Sequence, residues 1–202
     1  LGIGGIQLFT AEAPGPGGDK LHPRITDTAK RLWLIYVVYT CLETLLLWLA
    51  GMSFFDAINH AMSTVSTGGF STKNSSIAFW NDQPLIQYII SFFMLLAGTN
   101  FVLSYFIFTR KFQKIIADEE FKVYLSFIFV FTLLATVVIL NQESIAVLGN
   151  SFSWTQIETS FRAALFQVIA VITTTGFVSA DFTQWTPFLT VVFFGLMFLG
   201  GS

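Results

Sequence analysis

Apolar positions along this chain fall in long unbroken runs rather than in alternating or one-sided stripes. Residues 32–50 are apolar except for Thr40, Glu43 and Thr44. Residues 85–108 and 121–140 form two further runs, the former interrupted mildly by Gly98-Thr99-Asn100. A helix of about 20 apolar residues crosses a hydrocarbon core roughly 30 Å thick. Between these runs lie two shorter helix-like stretches, residues 54–65 and 154–172. The first of these is too short to cross. Each runs into the pattern Thr-x-Gly-Phe, as Thr67-Gly68-Gly69-Phe70 and, 107 residues later, Thr174-Thr175-Gly176-Phe177. A proline then opens the next apolar run in each case, Pro84 and Pro187, as suits the first turn of a helix.

The order long, short, Thr-x-Gly-Phe, Pro, long therefore occurs twice. A repeat of about 105 residues is too long for a solenoid and has the size of a duplicated membrane unit. The predicted organisation is an apolar end and Pro/Gly-rich connector over residues 1–31, one repeat over 32–109, and a second over 110–202, truncated in its last run. Thr26 or Asp27 is expected to cap the first long helix, and Ser53 or Asp56 suits the start of the first short one. The N-terminus lacks the basic flank and initiating Met of a signal peptide. Both ends fall in apolar residues, so an internal part of a larger protein is expected.

Composition strengthens the membrane reading. Only 11% of residues are charged and the mean hydropathy is +0.70, against roughly a quarter charged in soluble domains. Two soluble helical hairpins would need charged outer faces, which the long runs lack. The net charge of −2 gives no case for a nucleic-acid partner, and the lone Cys41 excludes a disulfide or thiolate metal site within the chain. Lys20, Arg24, Lys30, Arg31, Arg110, Lys111, Lys114 and Lys122 fall on one side of the implied topology, against Lys73 and Arg162 on the other. By the positive-inside rule the Thr-x-Gly-Phe strips open toward the outside.

Non-helical backbone at membrane depth is tolerated only where protein buries it or water and ions meet it. Backbone carbonyls can replace the hydration shell of potassium, as in the TVGYG loops of potassium channels. Thr67, Gly68, Gly69, Phe70, Thr174, Thr175, Gly176 and Phe177 are thus the predicted ion-binding set. Glycine supplies positive φ, threonine a hydroxyl, and phenylalanine a wedge against neighbouring helices. The C-terminal dipole end of each short helix favours a cation by about 0.3–1 kcal/mol when exposed. No carboxylate cluster suited to calcium is present. One Thr-x-Gly-Phe alone would be an ordinary turn; two, each at the end of a short helix between spans, carry the inference.

Other polar residues are weighed singly. Glu43, inside a span, is expected to partner Asn59, His60 or Arg162, with an ion-related role as the alternative. Arg162 is expected to tie its helix to Glu158 or Glu43, or else to tune the pore field. Asp181 can concentrate cations at the mouth or be a solvated loop carboxylate. His60 has no second His or Cys nearby for a metal site, and Asn100 reads as a packing or bending residue. No Gly-x-Ser-x-Gly elbow accompanies His60, so no catalytic residue is assigned and the chain is not read as an enzyme.

The sequence resembles the Trk/Ktr/HKT superfamily of potassium-uptake proteins, and within it the TrkH type. The likeness runs through Ala11-Glu12-Ala13-Pro14-Gly15-Pro16 and Pro23-Arg24-Ile25 in the connector, residues 60–72 around the first strip, and Phe166-Gln167-Val168-Ile169 leading into the second. It implies an all-α membrane protein of tandem helix–pore loop–helix units, four in the complete subunit, of which this chain holds the second and most of the third. It further implies a channel-like pore for potassium, the transported ligand, with no covalently bound cofactor. The alternative is a sodium- or proton-coupled symporter. A bacterial inner-membrane location, a homodimer and a cytoplasmic nucleotide-binding regulatory subunit are also implied. So is a gate in a Gly-rich break of the last helix, which here falls on Gly200, Gly201 and Ser202. Gly68 stands where the other strip has Thr175, so the ring need not be fourfold symmetric and selectivity is expected to be less strict.

Overall fold

A computed structural model describes residues 25–99, 103–104, 106, 112–146 and 154–200. All regular structure among them is helical. The first repeat contains α1 (Ile25–Leu49), α2 (Phe54–Val65), a 3-10 turn (Ser76–Trp80) and α3 (Pro84–Ala97). The short α4 (Phe112–Ala117) leads to α5 (Glu119–Ala146), α6 (Trp154–Ile172), a second 3-10 turn (Phe182–Gln184) and α7 (Pro187–Gly200). Helices α1 and α2 pack together, as do α5 and α6, while α3 lies against α2 and α6 and joins the two repeats.

Local chemistry explains most boundaries. Ser53 caps α2, its Oγ accepting from the Asp56 N–H at 3.1 Å. Pro84 opens α3 in the first turn, where its missing N–H costs nothing. Asp118 caps α5 by accepting from Phe121 N–H at 2.9 Å, and Glu119 and Glu120 complement the positive end of the helix dipole.

Several boundaries differ from the expectation. Helix α1 is already formed at Ile25, so Thr26 and Asp27 lie within it rather than capping it. Helix α5 continues to Ala146 through Asn141-Gln142-Glu143, a stretch rich in residues that tolerate helix. The run over 85–108 is not one described helix: α3 ends at Ala97 with Gly98 as its C-cap. A Cβ at Gly98 would lie 2.6 Å from Thr173 Cγ2, so the close approach of α3 to the base of the second strip requires glycine there. Asn100 lies outside the described residues. Helix α6 is also longer than α2. At the 107-residue offset Phe54 matches Phe161, so residues 154–160 add about two turns.

The stretches Ala29–Leu49 and Glu119–Gln142 are each long and apolar enough to cross a membrane. Their outer faces carry exposed Trp33, Leu49, Phe129 and Val130. Contiguous apolar faces of this extent suit lipid, not water. The interior centres on α2, α3, α6 and α7, where Phe93, Phe166 and Phe193 are buried along with Phe177 of the second strip, and inward residues of α1 and α5 such as Leu47, Ile128 and Ala135 join it.

Arg162 explains how the repeats hold together. It is buried just past the added length of α6, and its guanidinium donates to Glu158 Oε1 at 2.8 Å, Gln87 Oε1 at 2.8 Å and Asn81 O at 3.3 Å. Gln87 lies in the first turns of the first repeat's closing helix and Asn81 in the loop before it, so one cation bridges both repeats. Replacing Arg162 with Met should leave the buried Gln87 oxygen unsatisfied and destabilise the full-length protein by about 1–3 kcal/mol. Thermal unfolding in detergent measures this, and Arg162→Lys should recover part of the loss.

Candidate ion-filter site

Each strip begins where a short helix runs out of hydrogen-bond partners. The last carbonyls of a helix have no intrahelical donor, and here the strip N–H groups fill that need. Ser66 N–H donates to Met62 O and Thr67 N–H to Thr64 O; 107 residues on, Thr173 N–H donates to Ile169 O and Thr174 N–H to Val171 O. The anchoring then diverges slightly. In the first strip Gly68 N–H reaches Ser63 O at 2.7 Å and Phe70 N–H reaches Ser63 Oγ at 2.6 Å. In the second, where Ala170 replaces Ser63, Gly176 N–H reaches Ala170 O at 3.0 Å.

The backbone conformation repeats as well. Thr67 and Gly69 have φ of 51° and 67°, and their counterparts Thr174 and Gly176 have 56° and 80°. Positive φ therefore falls on alternate residues of each strip. With φ of one sign, an extended strand turns successive carbonyls to opposite sides; reversing it at every second residue brings neighbouring carbonyls to one side. For a β-branched threonine positive φ is an outlier that costs about 1–2 kcal/mol. Strain of this kind clusters at functional sites, and here it recurs at matched positions of both strips.

No backbone N–H among the described residues donates to the carbonyls of Thr67, Gly68, Gly69, Thr174, Thr175 or Gly176. The Thr67 and Thr174 hydroxyls bond Ser66 O and Thr173 O instead. The strips thus spend their donors on the helices and keep a row of acceptors. In the second strip Thr174 and Gly176 are exposed, while Thr173, Thr175 and Phe177 are buried. Thr173 and Thr175 share a hydroxyl–hydroxyl bond of 2.8 Å on the buried side. Oxygen acceptors without a carboxylate suit a monovalent cation whose hydration shell they replace. Among the described residues no cluster of His, Cys, Asp or Glu could hold a metal ion.

The two strips touch. A Cβ on Gly69 would overlap the Thr175 carbonyl oxygen and lie 3.1 Å from Gly176 C, whereas a Cβ on Gly176 meets nothing within 4 Å. Beyond the first strip, Asp56 gathers the chain back to the start of α2. It accepts from Thr72 Oγ1 at 2.6 Å and Ser53 Oγ at 2.8 Å, and pairs with Lys73 Nζ at 3.2 Å. Buried His60 donates from Nδ1 to Asp56 O at 2.7 Å and so accepts from Ser71 Oγ at Nε2, at 2.9 Å. Gln167 stands at the matching place in α6 and reaches Ser179 Oγ at 3.4 Å. In both repeats a planar polar side chain of the pore helix therefore tethers a serine just past the strip.

A family model described as TrkH, cation transport protein, matches residues 1–202. The chain belongs to the TrkH family. It is 39% identical over 205 residues to the Trk system potassium uptake protein TrkH of Escherichia coli K12, covering 100% of this chain and 40% of that protein. It is 40% identical over 208 residues to the protein of that name from Vibrio parahaemolyticus, with the same coverage. The crystal structure of the potassium transporter TrkH from Vibrio parahaemolyticus matches with a TM-score of 0.78 at 33% identity, over 96% of this chain and 40% of that one. The chain thus spans about two-fifths of the length of the relatives it matches.

Within this TrkH-family chain the sequence-predicted residues divide. The two strips meet at Gly69, Thr175 and Gly176, while Phe70 is exposed. Arg162 takes Glu158, and its other contacts lie on the first repeat's closing helix and the loop before it. Asp181 is an exposed cap of the second 3-10 turn, accepting from Thr183 N–H and Oγ1 and from Gln184 Nε2, contacts that hold its pKa below the usual carboxylate value. Glu43 departs from the expectation. It is fully buried, and among the described residues its polar neighbour is the Thr64 hydroxyl rather than an expected partner: Asn59 is bound to Phe55 O, His60 has both nitrogens engaged, and Arg162 has Glu158. Gly200 ends α7 against the end of α6, where a Cβ would lie 2.5 Å from Ile172 O; Gly201 and Ser202 fall outside the described residues.

Positive φ at Thr67 and Thr174 was missed, since the sequence argument gave that conformation to glycine alone. The threonine shared by both strips at one offset was the available signal. The anchor Ser63 was missed; Asp56 was expected only at the start of its helix and Gly98 only as a mild interruption, since their partners Thr72, Lys73 and Thr173 are not marked by nearby sequence. Gly69→Ala should destabilise the full-length protein more than Gly176→Ala, which faces strain of about 1–2 kcal/mol without a clash. Paired thermal melts in detergent measure the difference.

Proposed function

We propose that this chain forms two adjoining quarters of a potassium-conducting pore in a subunit of a bacterial potassium-uptake system. The observation that carries this is the matched alternation of φ in the two strips, with N–H groups committed to the helices and carbonyls left as acceptors. Residues 32–109 and 110–202 are each a pore repeat, and two further repeats complete the ring. The eight strip residues line the filter through backbone and threonine oxygens, and potassium is the transported substrate. The names of the relatives, potassium uptake proteins, support this choice of cation.

The subunit lies in the inner membrane with its strips opening outward, as the eight-to-two distribution of basic residues supports. Asp181 stands at the outer mouth. Gly200, Gly201 and Ser202 begin a gate beneath the strips; the close seat of Gly200 on the end of α6 supports this reading. Family likeness supports a homodimer and a cytoplasmic nucleotide-binding regulatory partner. No covalently bound cofactor and no catalytic step are assigned.

A coupled symporter is the second reading, and the buried carboxyl of Glu43 inside a long apolar helix favours it, since such a group can carry a coupling proton or bind sodium. Flux measurements separate the two. Potassium movement that follows its own gradient, unaffected by a sodium or proton gradient, supports the pore; fixed stoichiometry with either ion supports the symporter.

Gly176→Ser in the full-length protein should lower potassium-over-sodium selectivity about tenfold, while membrane insertion stays normal. Unchanged ion preference at both Gly176→Ser and Gly69→Ser would remove the filter assignment. Asp181→Asn should reduce potassium flux at low ionic strength and have little effect at high salt, where the Debye length falls to a few ångströms. Because the Asp181 pKa is lowered, the wild-type effect should persist into mildly acidic solution and fade only as the carboxylate protonates.

A further inference from the structure

Helix α1 exposes apolar side chains on its outer face but carries Tyr36, Tyr39 and Glu43 at i, i+3 and i+7, along one stripe. That stripe meets the C-terminal end of α2 and the chain beyond α3. Tyr36 lies against Ser66, Tyr39 against Ser104, and Glu43 against Thr64. Glu43 and Thr64 are both fully buried. Thr64 stands in the last turn of α2, and its carbonyl accepts from the N–H of Thr67, the strip residue held at φ 51°. Its neighbour Ser63 holds Gly68 and Phe70. Whatever fixes Thr64 therefore fixes the start of the first strip. In the second strip's helix Val171 takes the place of Thr64, so this contact belongs to the first repeat.

The Thr64 hydroxyl has one proton and donates it to His60 O at 2.8 Å. Toward Glu43 it offers lone pairs alone, so a hydrogen bond between the two needs a proton on the carboxyl. Nothing around the carboxyl favours its charged form. The helices packed on α1, which are α2 and α3, contain no Lys or Arg. Lys30 and Arg31 of α1 lie about 18 Å or more along the helix axis. The titratable groups on these helices are engaged elsewhere: Asp56 with Ser53, Thr72 and Lys73, His60 with Asp56 O and Ser71, and Tyr88 with Glu158. Tyr36 and Tyr39 turn to their serines. A carboxylate would also face the negative end of the α2 dipole. An unpaired charge costs far more to bury than a hydrogen-bonded neutral acid.

We infer that Glu43 is a positioning residue of the first strip, a protonated acid that donates to the Thr64 hydroxyl and steadies the turn from which Thr67 hangs. Its proton is held in place, so the carboxyl neither couples transport to a proton nor binds sodium. The positioning role rests on the reading of residues 67–70 as ion-lining; the proton on Glu43 does not.

The test uses the full-length protein in liposomes. An infrared difference spectrum between wild type and Glu43→Gln should contain the carbonyl stretch of a protonated carboxylic acid. The band should stay unchanged between about pH 6 and pH 8, where an ordinary glutamate is ionised. A carboxylate signal, or a band that titrates in that range, would overturn the proposal. In flux measurements Glu43→Gln, whose amide still donates, should keep wild-type selectivity for potassium over sodium. Glu43→Leu and Thr64→Val should each lower it about fivefold, the scale of one lost neutral hydrogen bond. The double variant should lose no more than either single one, because both remove the same contact. Wild-type selectivity in either single variant, or its loss in Glu43→Gln, would overturn the positioning role. Should Glu43→Leu fail to fold, Thr64→Val and the infrared band decide. Gly176→Ser is the control: unchanged selectivity there means that the filter reading has failed, and the infrared band then judges Glu43 by itself.

Discussion

Backbone acceptors left open in apolar surroundings are the constraint on which the rest of the structure depends. An unsatisfied peptide group away from water costs several kcal/mol in hydrocarbon. Here the cost is divided between two partners. The ends of α2 and α6 present carbonyls that need donors, and the strips present N–H groups that need acceptors, so each completes the other. What remains is a set of strip carbonyls with no backbone donor, on a chain whose φ reverses at alternate residues. A weakly hydrated cation is the natural partner for such a set.

Holding that conformation takes more than the strip itself. Ser63 fixes the first strip from within, and Asp56, through Thr72 and Lys73, fastens the chain that leaves it. Gly98 lets α3 approach Thr173 at the base of the second strip, and Arg162 bolts α6 to the loop before α3. Nearly all of this polar chemistry lies toward the inner helices, while α1 and α5 carry apolar outer faces. In lipid, where burial of apolar area does little to hold helices together, such close contacts and buried hydrogen bonds are the available glue.

Hydropathy made the long helices legible, and the 107-residue offset made the strips legible, because both depend on residue type at regular spacing. Pro84, Pro187 and Ser53 announced helix starts through local chemistry alone. What escaped was non-local or counter to propensity. The end of α3 at Ala97 depends on a contact with Thr173, far away in sequence. Positive φ at Thr67 and Thr174 runs against the preference of a β-branched residue and is visible only once the helix ends impose it. Glu43 was given three candidate partners, all of which proved to be occupied elsewhere.

The central claim is that the carbonyls of residues 67–69 and 174–176 face one ion path. The most direct measurement is a structure of the full-length protein soaked in rubidium, with anomalous density calculated at the rubidium edge. The account predicts ordered peaks along an axis beside both strips, within coordinating distance of the Thr67–Gly69 and Thr174–Gly176 carbonyls, and loss of those peaks in sodium alone. Anomalous density absent from both strips, or located instead only at Glu43, would contradict it.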